Sequence, residues 1–209
     1  MRTRIVGLIL VAAIPGLAQI PVSVGVKGGL FFTESTTGVE RIEDRPYTVG
    51  PSIEMRLPKS FALEFNPLYK RTGYRAYFAD ILGSFTYSRV RNDVWEFPVL
   101  GKYYRGPWFA AGGYTARRRS PADASAWGVT RNADGSIATV FSGPTAGTPA
   151  RFDHGFAAGT GLRTRVFARL KLSVEYRYSR FATSDRVSFR GVVFGPTQNQ
   201  HEVLAGFAF

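Results

Sequence analysis

The side chains of this sequence best suited to acid–base chemistry are two histidines, since the 209 residues include no others and no cysteine. His201 precedes Glu202, but neighbouring strand residues point to opposite faces, so the two cannot form a base and its orienting acid. His154 follows Asp153 at the start of another apolar segment. A serine nucleophile would need one of these histidines within hydrogen-bond reach. The candidates near the same rim are Ser179, Ser184 and Ser188.

A second set of candidate functional side chains consists of charged residues. They lie on the polar face of segments in which apolar and polar residues alternate. Basic and acidic members are nearly equal in number, and a buried charge without a partner costs several kcal/mol. We therefore predict an ion-paired network inside the molecule, with no catalytic residues and no metal or cofactor. The predicted members are Lys27, Glu54, Arg56, Glu64, Lys70, Glu96, Lys102, Arg163, Lys171, Glu175, Arg177 and Glu202.

Strict apolar–polar alternation indicates that strands position these charges. Eight segments of roughly ten residues show it, the length that a tilted strand needs to cross a bilayer. The last one begins at residue 200 and ends on Phe209, as expected if it closes a barrel against the first. The predicted strands are 22–32, 47–57, 61–70, 94–104, 108–117, 154–164, 169–180 and 200–209.

The connections between these strands alternate in length. Those after the second, fourth and sixth strands have about three to five residues, whereas the others are long: 33–46, 71–93, 118–153 and 181–198. Short turns on one side and long loops on the other are typical of outer-membrane barrels. Turn residues Asn132–Gly135 lie between 127–131 and 137–141, so we expect the longest loop to contain a hairpin.

The apolar face of the strands is predicted to contact lipid. It carries no charge within the crossing segments and ends in aromatic residues, as in the interfacial girdles of membrane proteins. The polar face combines long charged side chains with glycines, which suits a narrow eight-stranded interior. The predicted fold is an all-β, eight-stranded antiparallel up-and-down transmembrane barrel. The aromatic residues near strand ends are Tyr47, Tyr69, Trp95, Tyr103, Trp108, Tyr114 and Tyr178.

The N-terminus predicts export. Arg2 and Arg4 precede the apolar run Ile5–Ile14 and small residues before Gln19, which is the pattern of a signal peptide. The run is too short to span a bilayer as a helix. We expect residues 1–18 to be a signal peptide and residues 19–209 to form the barrel.

The net charge is +12, and with a nearly neutral interior the excess should lie at the rims. Such cations can bind lipid phosphates. Nucleic acid is not expected as a partner, because the basic residues are scattered along an exported chain. The predicted rim cations are Lys59, Arg105, Arg165 and Arg169 at the short turns and Arg117, Arg118 and Arg119 at the long loops.

Four motifs in order resemble a known family. They are Asn66-Pro67-Leu68-Tyr69, Trp95-Glu96-Phe97-Pro98-Val99, Glu175-Tyr176-Arg177-Tyr178 and Gly206-Phe207-Ala208-Phe209. Together, over about residues 19–209, they resemble the small outer-membrane β-barrel domain proteins of the OmpA/OmpX type. Pro98 fits the family pattern. Pro51 departs from it and predicts a bulge, since proline inside a strand lacks the N–H of the ladder.

The resemblance implies a location in the outer membrane and no single activity. It also implies that Phe207 and Phe209 form the signal recognised by the barrel-assembly machinery. We expect a monomer that contacts outer-membrane lipids and has a structural or surface-interaction role. Its interior should be filled, because eight-stranded barrels are just wide enough for side chains. Two alternatives stay open: a rim enzyme acting on lipid A or peptides through His154 or His201, and a narrow passive pore.

Overall fold

The computed structural model is built from β-strands, and no helix long and apolar enough to cross a membrane occurs among its described residues. Those residues are 21–35, 39–40, 46–79, 83–121, 123–145, 149–167, 170–182, 187–189, 192–194 and 196–209. The predicted signal peptide lies outside them.

The described strands are numbered in chain order. They are β1 (Val22–Ser35), β2 (Val39–Glu40), β3 (Tyr47–Arg56), β4 (Phe61–Phe65), β5 (Leu68–Ala79), β6 (Phe85–Arg105), β7 (Trp108–Arg119), β8 (Asp123–Arg131), β9 (Ile137–Thr145), β10 (Arg151–Arg165), β11 (Lys171–Phe181), β12 (Val187–Phe189), β13 (Val192–Phe194) and β14 (Pro196–Ala208).

Eight antiparallel strand positions, which we call staves, close into a ring; seven are single strands and one is formed by β4 and β5 together. Their order is β1, β3, β4 with β5, β6, β7, β10, β11 and β14, and β14 pairs back to β1. Closure runs from Gly25 opposite Ala208 to Thr33 opposite Gln200, and the N–H of Phe209 donates to the carbonyl of Val24 over 3.0 Å. The prediction of an eight-stranded antiparallel barrel, closed by the last strand on the first, is therefore confirmed.

The third stave differs from the prediction of one strand over 61–70. It is broken at Asn66 and Pro67, so β3 pairs with β4 at one end and with β5 at the other. Opposite this break lies Pro51, whose carbonyl accepts a hydrogen bond of 2.7 Å from Nδ2 of Asn66. The register of β1 with β3 passes Pro51 without a shift. The prediction of a bulge at Pro51 is therefore wrong. The irregularity lies in the neighbouring stave, where the side chain of Asn66 supplies the hydrogen bond to the carbonyl of Pro51.

Short turns join the staves at one end of the ring. The first, at Pro58–Ser60, places Lys59 and Ser60 at positive φ (58° and 66°), and the second bends at Gly106 with φ 61°. A third connects β10 to β11, where the N–H of Val166 donates to the carbonyl of Leu170. Three short turns at this end agree with the predicted loop asymmetry.

At the opposite end the strands extend well beyond the ring. The predicted loop 71–93 is largely strand, because β5 and β6 pair from Leu68 opposite Glu96 to Ala79 opposite Phe85. The predicted hairpin in the longest loop is confirmed as β8 and β9, with Gly135 at φ 82° in its turn. Strand β8 pairs with the outer half of β6. We call β8, β9 and the outer halves of β5 and β6 (residues 71–79 and 85–93) the projecting sheet.

Within the ring, burial alternates as the sequence predicts. Apolar residues such as Val24, Ile53 and Phe207 are about half exposed, at 56%, 45% and 55%. Their chain neighbours Ser23 and Glu54 are buried at 4%. Glycines make room for the interior side chains: a Cβ on Gly161 would lie only 2.5 Å from Cζ of Phe109. The apolar surface faces outward and the charged surface faces inward, the reverse of a water-soluble barrel.

Candidate functional site

The interior charges meet at successive levels along the barrel. At the level nearest the short turns, Tyr104 donates to Oε2 of Glu54 over 2.6 Å. Arg163 donates to the hydroxyl of Tyr104 over 2.8 Å and also pairs with Glu54. Glu54 lies on β3 and Arg163 on β10, four staves apart in the ring of eight. This ion pair therefore crosses the full width of the lumen.

Two further predicted members lie at this lowest level. Arg56 is half exposed, with its guanidinium 5.0 Å from the ring centre of Tyr104 and its Nε 3.6 Å from Oε1 of Glu54. Lys171 donates to the hydroxyl of Ser23 over 2.7 Å. A cavity of ≈ 20 Å³ is lined by residues of this level and of the next level along the barrel, which is room for about one water molecule.

At the middle level two lysines share two glutamates. Nζ of Lys27 lies 2.7 Å from Glu64 and 2.5 Å from Glu175. Nζ of Lys102 lies 2.7 Å from Glu64 and 3.4 Å from Glu175. These side chains are at most 5% exposed. Opposite charges alternate around this square, so each buried charge has two partners.

Arg177 completes the middle level from above. It is 1% exposed, and its Nη2 lies 2.7 Å from Glu175 on the same strand. It also reaches across the lumen to Glu64 at 3.5 Å and to the side-chain oxygen of Asn66 at 3.3 Å. β11 and the third stave stand on opposite sides of the ring. Arg177 thus connects one wall with the break in the other.

The third level is built around Lys70. Its ammonium pairs with Glu96 and lies 2.7 Å from Oε1 of Glu202. Nε2 of Gln200 on β14 donates to Glu96 on the opposite stave over 3.5 Å. These charged side chains are no more than 1% exposed.

A fourth level lies at the long-loop rim, and sequence reasoning missed it. Arg117 and Arg119 face inward and share Asp153, at 3.1 and 2.7 Å. The sequence predicts Arg117, Arg118 and Arg119 as rim cations, but only Arg118 faces outward. The sequence did contain the signal, because residues 117 and 119 continue the two-residue period of β7.

The buried charges of the described chain balance. Six cations and six carboxylates are at most 8% exposed. The cations are Lys27, Lys70, Lys102, Arg117, Arg119 and Arg177; the carboxylates are Glu54, Glu64, Glu96, Asp153, Glu175 and Glu202. Of the predicted rim cations, Lys59, Arg105 and Arg165 are exposed in or beside the short turns, and Arg169 lies outside the described residues.

The two histidines face away from this network. His154 is exposed on the outer surface, and Nδ1 of His201 lies 2.6 Å from the hydroxyl of Tyr176, also outside. Ser179 is 1% exposed in the interior, so the wall separates it from both histidines. The side chains of Ser184 and Ser188 lie outside the described part of the chain. This geometry excludes a nucleophile–base pair between Ser179 and either histidine.

The closing strand places both predicted assembly residues on the outer surface at the short-turn end. Phe207 is 55% exposed and Phe209 is 70% exposed. On the same strand Glu202 points inward to Lys70. One strand thus presents aromatic rings to the surroundings and a carboxylate to the interior.

An uncharged outer band surrounds the ring. Between the levels of Trp95 and Tyr103, the outward positions of the eight described staves carry no Asp, Glu, Lys or Arg. Aromatic pairs lie at both edges: Tyr69 with Trp95, and Phe61 with Tyr103, at 5.4 and 5.1 Å between ring centroids. An apolar band between aromatic girdles is the surface of a barrel in lipid. The chain is an outer-membrane β-barrel.

Three similar solved structures illustrate how far the likeness extends. Neisserial surface protein A is 14% identical, with 90% of this chain and 95% of that chain covered and a TM-score of 0.33. The attachment invasion locus protein Ail of Yersinia pestis, in complex with a heparin analogue, is 11% identical (90% and 96% covered, TM-score 0.39). The outer membrane protease OmpT of Escherichia coli is 7% identical (90% and 94% covered, TM-score 0.32). Likenesses at this level assign no activity to this chain.

No protein-family model and no curated protein sequence matches the chain.

Proposed function

We propose that this chain is a non-conducting, non-enzymatic barrel with a structural and surface-contact role in the outer membrane. The observation that supports it is a set of two ion pairs and one hydrogen bond that join opposite staves. Glu54 meets Arg163, Glu64 meets Arg177, and Glu96 meets Gln200, each across the lumen. Side chains that reach one another over the full width of the lumen support an interior that is closed to ions.

Breaking such a network is costly, which favours a permanently closed interior. Removing one partner of a buried ion pair typically costs about 3–5 kcal/mol, because the remaining charge is left without compensation. An open state would have to separate the contacts of Arg163 and Arg177 on two levels. The network is therefore best explained as the element that holds the staves together.

The surface-contact role is supported by the projecting sheet. Tyr77, Phe85, Tyr87 and Trp127 form a continuous aromatic ladder on its outer face, with Trp127 5.4 Å from Phe85 and 5.5 Å from Tyr87 between ring centroids. Tyr77 and Trp127 are 57% and 48% exposed. Exposed aromatic surface beyond the membrane is typical of contact sites.

Conductance tests the closed interior. Purified protein inserted into planar bilayers should give the same current as protein-free bilayers, with a general porin as the positive control. Reproducible single-channel steps from the folded protein would overturn the closed interior and support the passive pore.

The contact role is tested separately on cells. Replacing Tyr87 and Trp127 by Ser should lower cell–cell aggregation or surface attachment while the barrel still shows heat-modifiable migration. A matched control replaces Thr130 and Thr139 by Ser in the same hairpin. Equal aggregation and attachment for all three proteins would remove the contact role.

The absence of enzymatic activity has its own test. Mass profiles of lipid A, and peptide cleavage by cells with and without the protein, should be the same. A change that disappears in His154→Ala or His201→Ala would instead support the rim enzyme.

A further inference from the structure

The lowest level of the interior differs from the two levels above it in its charge balance. The middle and third levels contain equal numbers of described cations and carboxylates, each in an ion pair. They are Lys27, Lys70, Lys102 and Arg177 with Glu64, Glu96, Glu175 and Glu202. The described members of the lowest level are three cations, Arg56, Arg163 and Lys171, and one carboxylate, Glu54. Three cations and one carboxylate leave this level with an excess of two positive charges.

The stretches of sequence around the short turns supply no further carboxylate. Residues 55–63, 97–122 and 154–174 contain these turns with the strand ends beside them, and none of these residues is Asp or Glu. The strand ends that complete the ring at this side, 21–33 and 203–209, also contain no acidic residue. The positive excess of the lowest level is therefore not neutralised by this end of the chain.

The single carboxylate of the level is already paired. Glu54 accepts a hydrogen bond of 2.6 Å from Tyr104 and forms an ion pair with Arg163. Nε of Arg56 lies 3.6 Å from Glu54, which is too long for a hydrogen bond, and this buried atom has no hydrogen-bond partner among the described residues. The guanidinium groups of Arg56 and Arg163 both lie near the ring of Tyr104, at 5.0 and 5.7 Å from its centre. A second anion beside Arg56 would relieve the repulsion between these like charges.

Space for such an anion exists between the first two short turns. Arg56, Ser60, Tyr104 and Gly106 are among the residues that line a cavity of ≈ 370 Å³ there. Sites for small organic molecules have volumes of about 300–1,000 Å³. Tyr104 also lines the smaller cavity of ≈ 20 Å³, together with Lys171. We call Arg56, Ser60, Tyr104 and Lys171 the short-turn mouth.

We propose that the short-turn mouth binds an oxyanion, the carboxylate or phosphate group of a small molecule in the periplasm. The short turns of outer-membrane barrels face the periplasm, so this ligand enters without crossing the lumen. Arg56 contacts the anion directly, because the fork of N–H donors on a guanidinium binds carboxylate or phosphate oxygens in pairs. Lys171 adds a second positive charge at longer range. The site goes beyond the role of a closed barrel and does not depend on it.

The test is a titration of the full barrel in detergent micelles, followed by the NMR shifts of the backbone amides of Leu57, Ser60 and Gly106. The probes are N-acetyl-alanyl-alanine and inorganic phosphate. Arg56→Gln should weaken binding of the tighter probe at least about tenfold, since it removes hydrogen bonds to a charged group. Lys171→Gln should weaken it by up to about fivefold, as expected for a partly screened charge.

The matched control is Arg105→Gln. It removes an exposed cation at the same end of the barrel that does not line the cavity, and it should bind as wild type does. Heat-modifiable migration shows that each variant is folded. Equal weakening by Arg105→Gln and Arg56→Gln would show that binding follows the overall charge alone and would overturn the site. The absence of amide shifts with both probes would overturn it as well.

A further arm identifies the chemistry and the source of the ligand. The C-terminal amide of N-acetyl-alanyl-alanine has no carboxylate and should cause no shifts, and equal binding of the acid and the amide would overturn an oxyanion site. Tighter binding of N-acetyl-alanyl-alanine than of inorganic phosphate assigns the site to the carboxylates of peptides. The reverse order assigns it to free phosphate.

Discussion

The ring and the projecting sheet are built from the same kind of alternating strands, yet they differ in whether charged side chains are buried. In the ring every stave is paired on both sides, and charged side chains such as Lys70 and Glu202 are completely buried. In the projecting sheet β9 is the last strand of its path, and residues 137–140 are exposed on both faces. Its charged turn residue Asp134 is satisfied locally by Ser136.

This contrast shows that alternation specifies two faces without specifying what contacts them. In the ring, the outward face contacts lipid and the inward face lines a narrow lumen. The charged side chains of the inward face must therefore find partners across the lumen. At the edge of the projecting sheet water reaches both faces of β9, so apolar residues such as Val140 stay 68% exposed. We expect the ring to carry most of the stability and the projecting sheet to contribute little to it.

The largest effect is expected in the middle of the ring. Arg177→Gln should lower the free energy of unfolding by about 3–5 kcal/mol, because Glu64 and Glu175 lose a buried partner. Arg180→Gln, three residues along the same strand on the outer surface, should change it by less than about 0.5 kcal/mol. Urea unfolding in lipid vesicles measures both. Equal effects would show that the interior network does not stabilise the ring.

The closing strand should be the next most sensitive. Deleting Phe209 removes an outward ring, worth roughly 1.5–3 kcal/mol in an apolar environment, and the hydrogen bond to Val24. The fraction of protein inserted in the outer membrane should fall severalfold. Phe167→Ala is the matched control, since this short-turn ring is equally exposed at 71%. If both variants insert equally, the terminal aromatic is not an assembly signal.

Removing the hairpin should have a small effect on the ring. Arg119 and Arg151 are directly opposed in register, so an Asn-Gly turn can replace residues 120–150. The shortened protein should insert and keep its stability within about 1 kcal/mol, as judged by heat-modifiable migration and urea unfolding. Loss of insertion would contradict the separation of ring and projecting sheet.

The smallest effect is confined to the hairpin turn. The N–H and hydroxyl of Ser136 donate to the carboxylate of Asp134 and hold its pKa below the ordinary value. This contribution is present above the unfolded pKa of about 3.9 and is lost as pH falls through the lower folded value. The protection factors of the amides in β8 and β9, which compare their exchange with that of an unstructured chain at the same pH, should therefore fall on acidification. The protection factors of Asp134→Asn should depend little on pH in this range, and an unchanged pH dependence would contradict the assignment.

Much of the ring could be predicted from the sequence. Period-two alternation is a local property, so the eight staves, their outward faces and the polarity of the interior follow from residues such as Val24, Lys27 and Val26. The turn chemistry at Asn132–Gly135 likewise places the hairpin correctly. The extension of β5 and β6 beyond the membrane could not be recognised, because residues 71–93 alternate weakly: apolar neighbours such as Tyr77 and Phe78 follow each other directly.

The sequence by itself thus determined the strands, their two faces and the membrane as their environment. Only the tertiary structure decided which charges meet. Glu64 and Arg177 are 113 residues apart in the chain and 3.5 Å apart in the lumen. That distance depends on the register and tilt of every stave between them, which local patterns do not encode. The same closure placed Asp153 of β10 beside the inward Arg117 and Arg119 of β7, a pairing that their period alone does not predict.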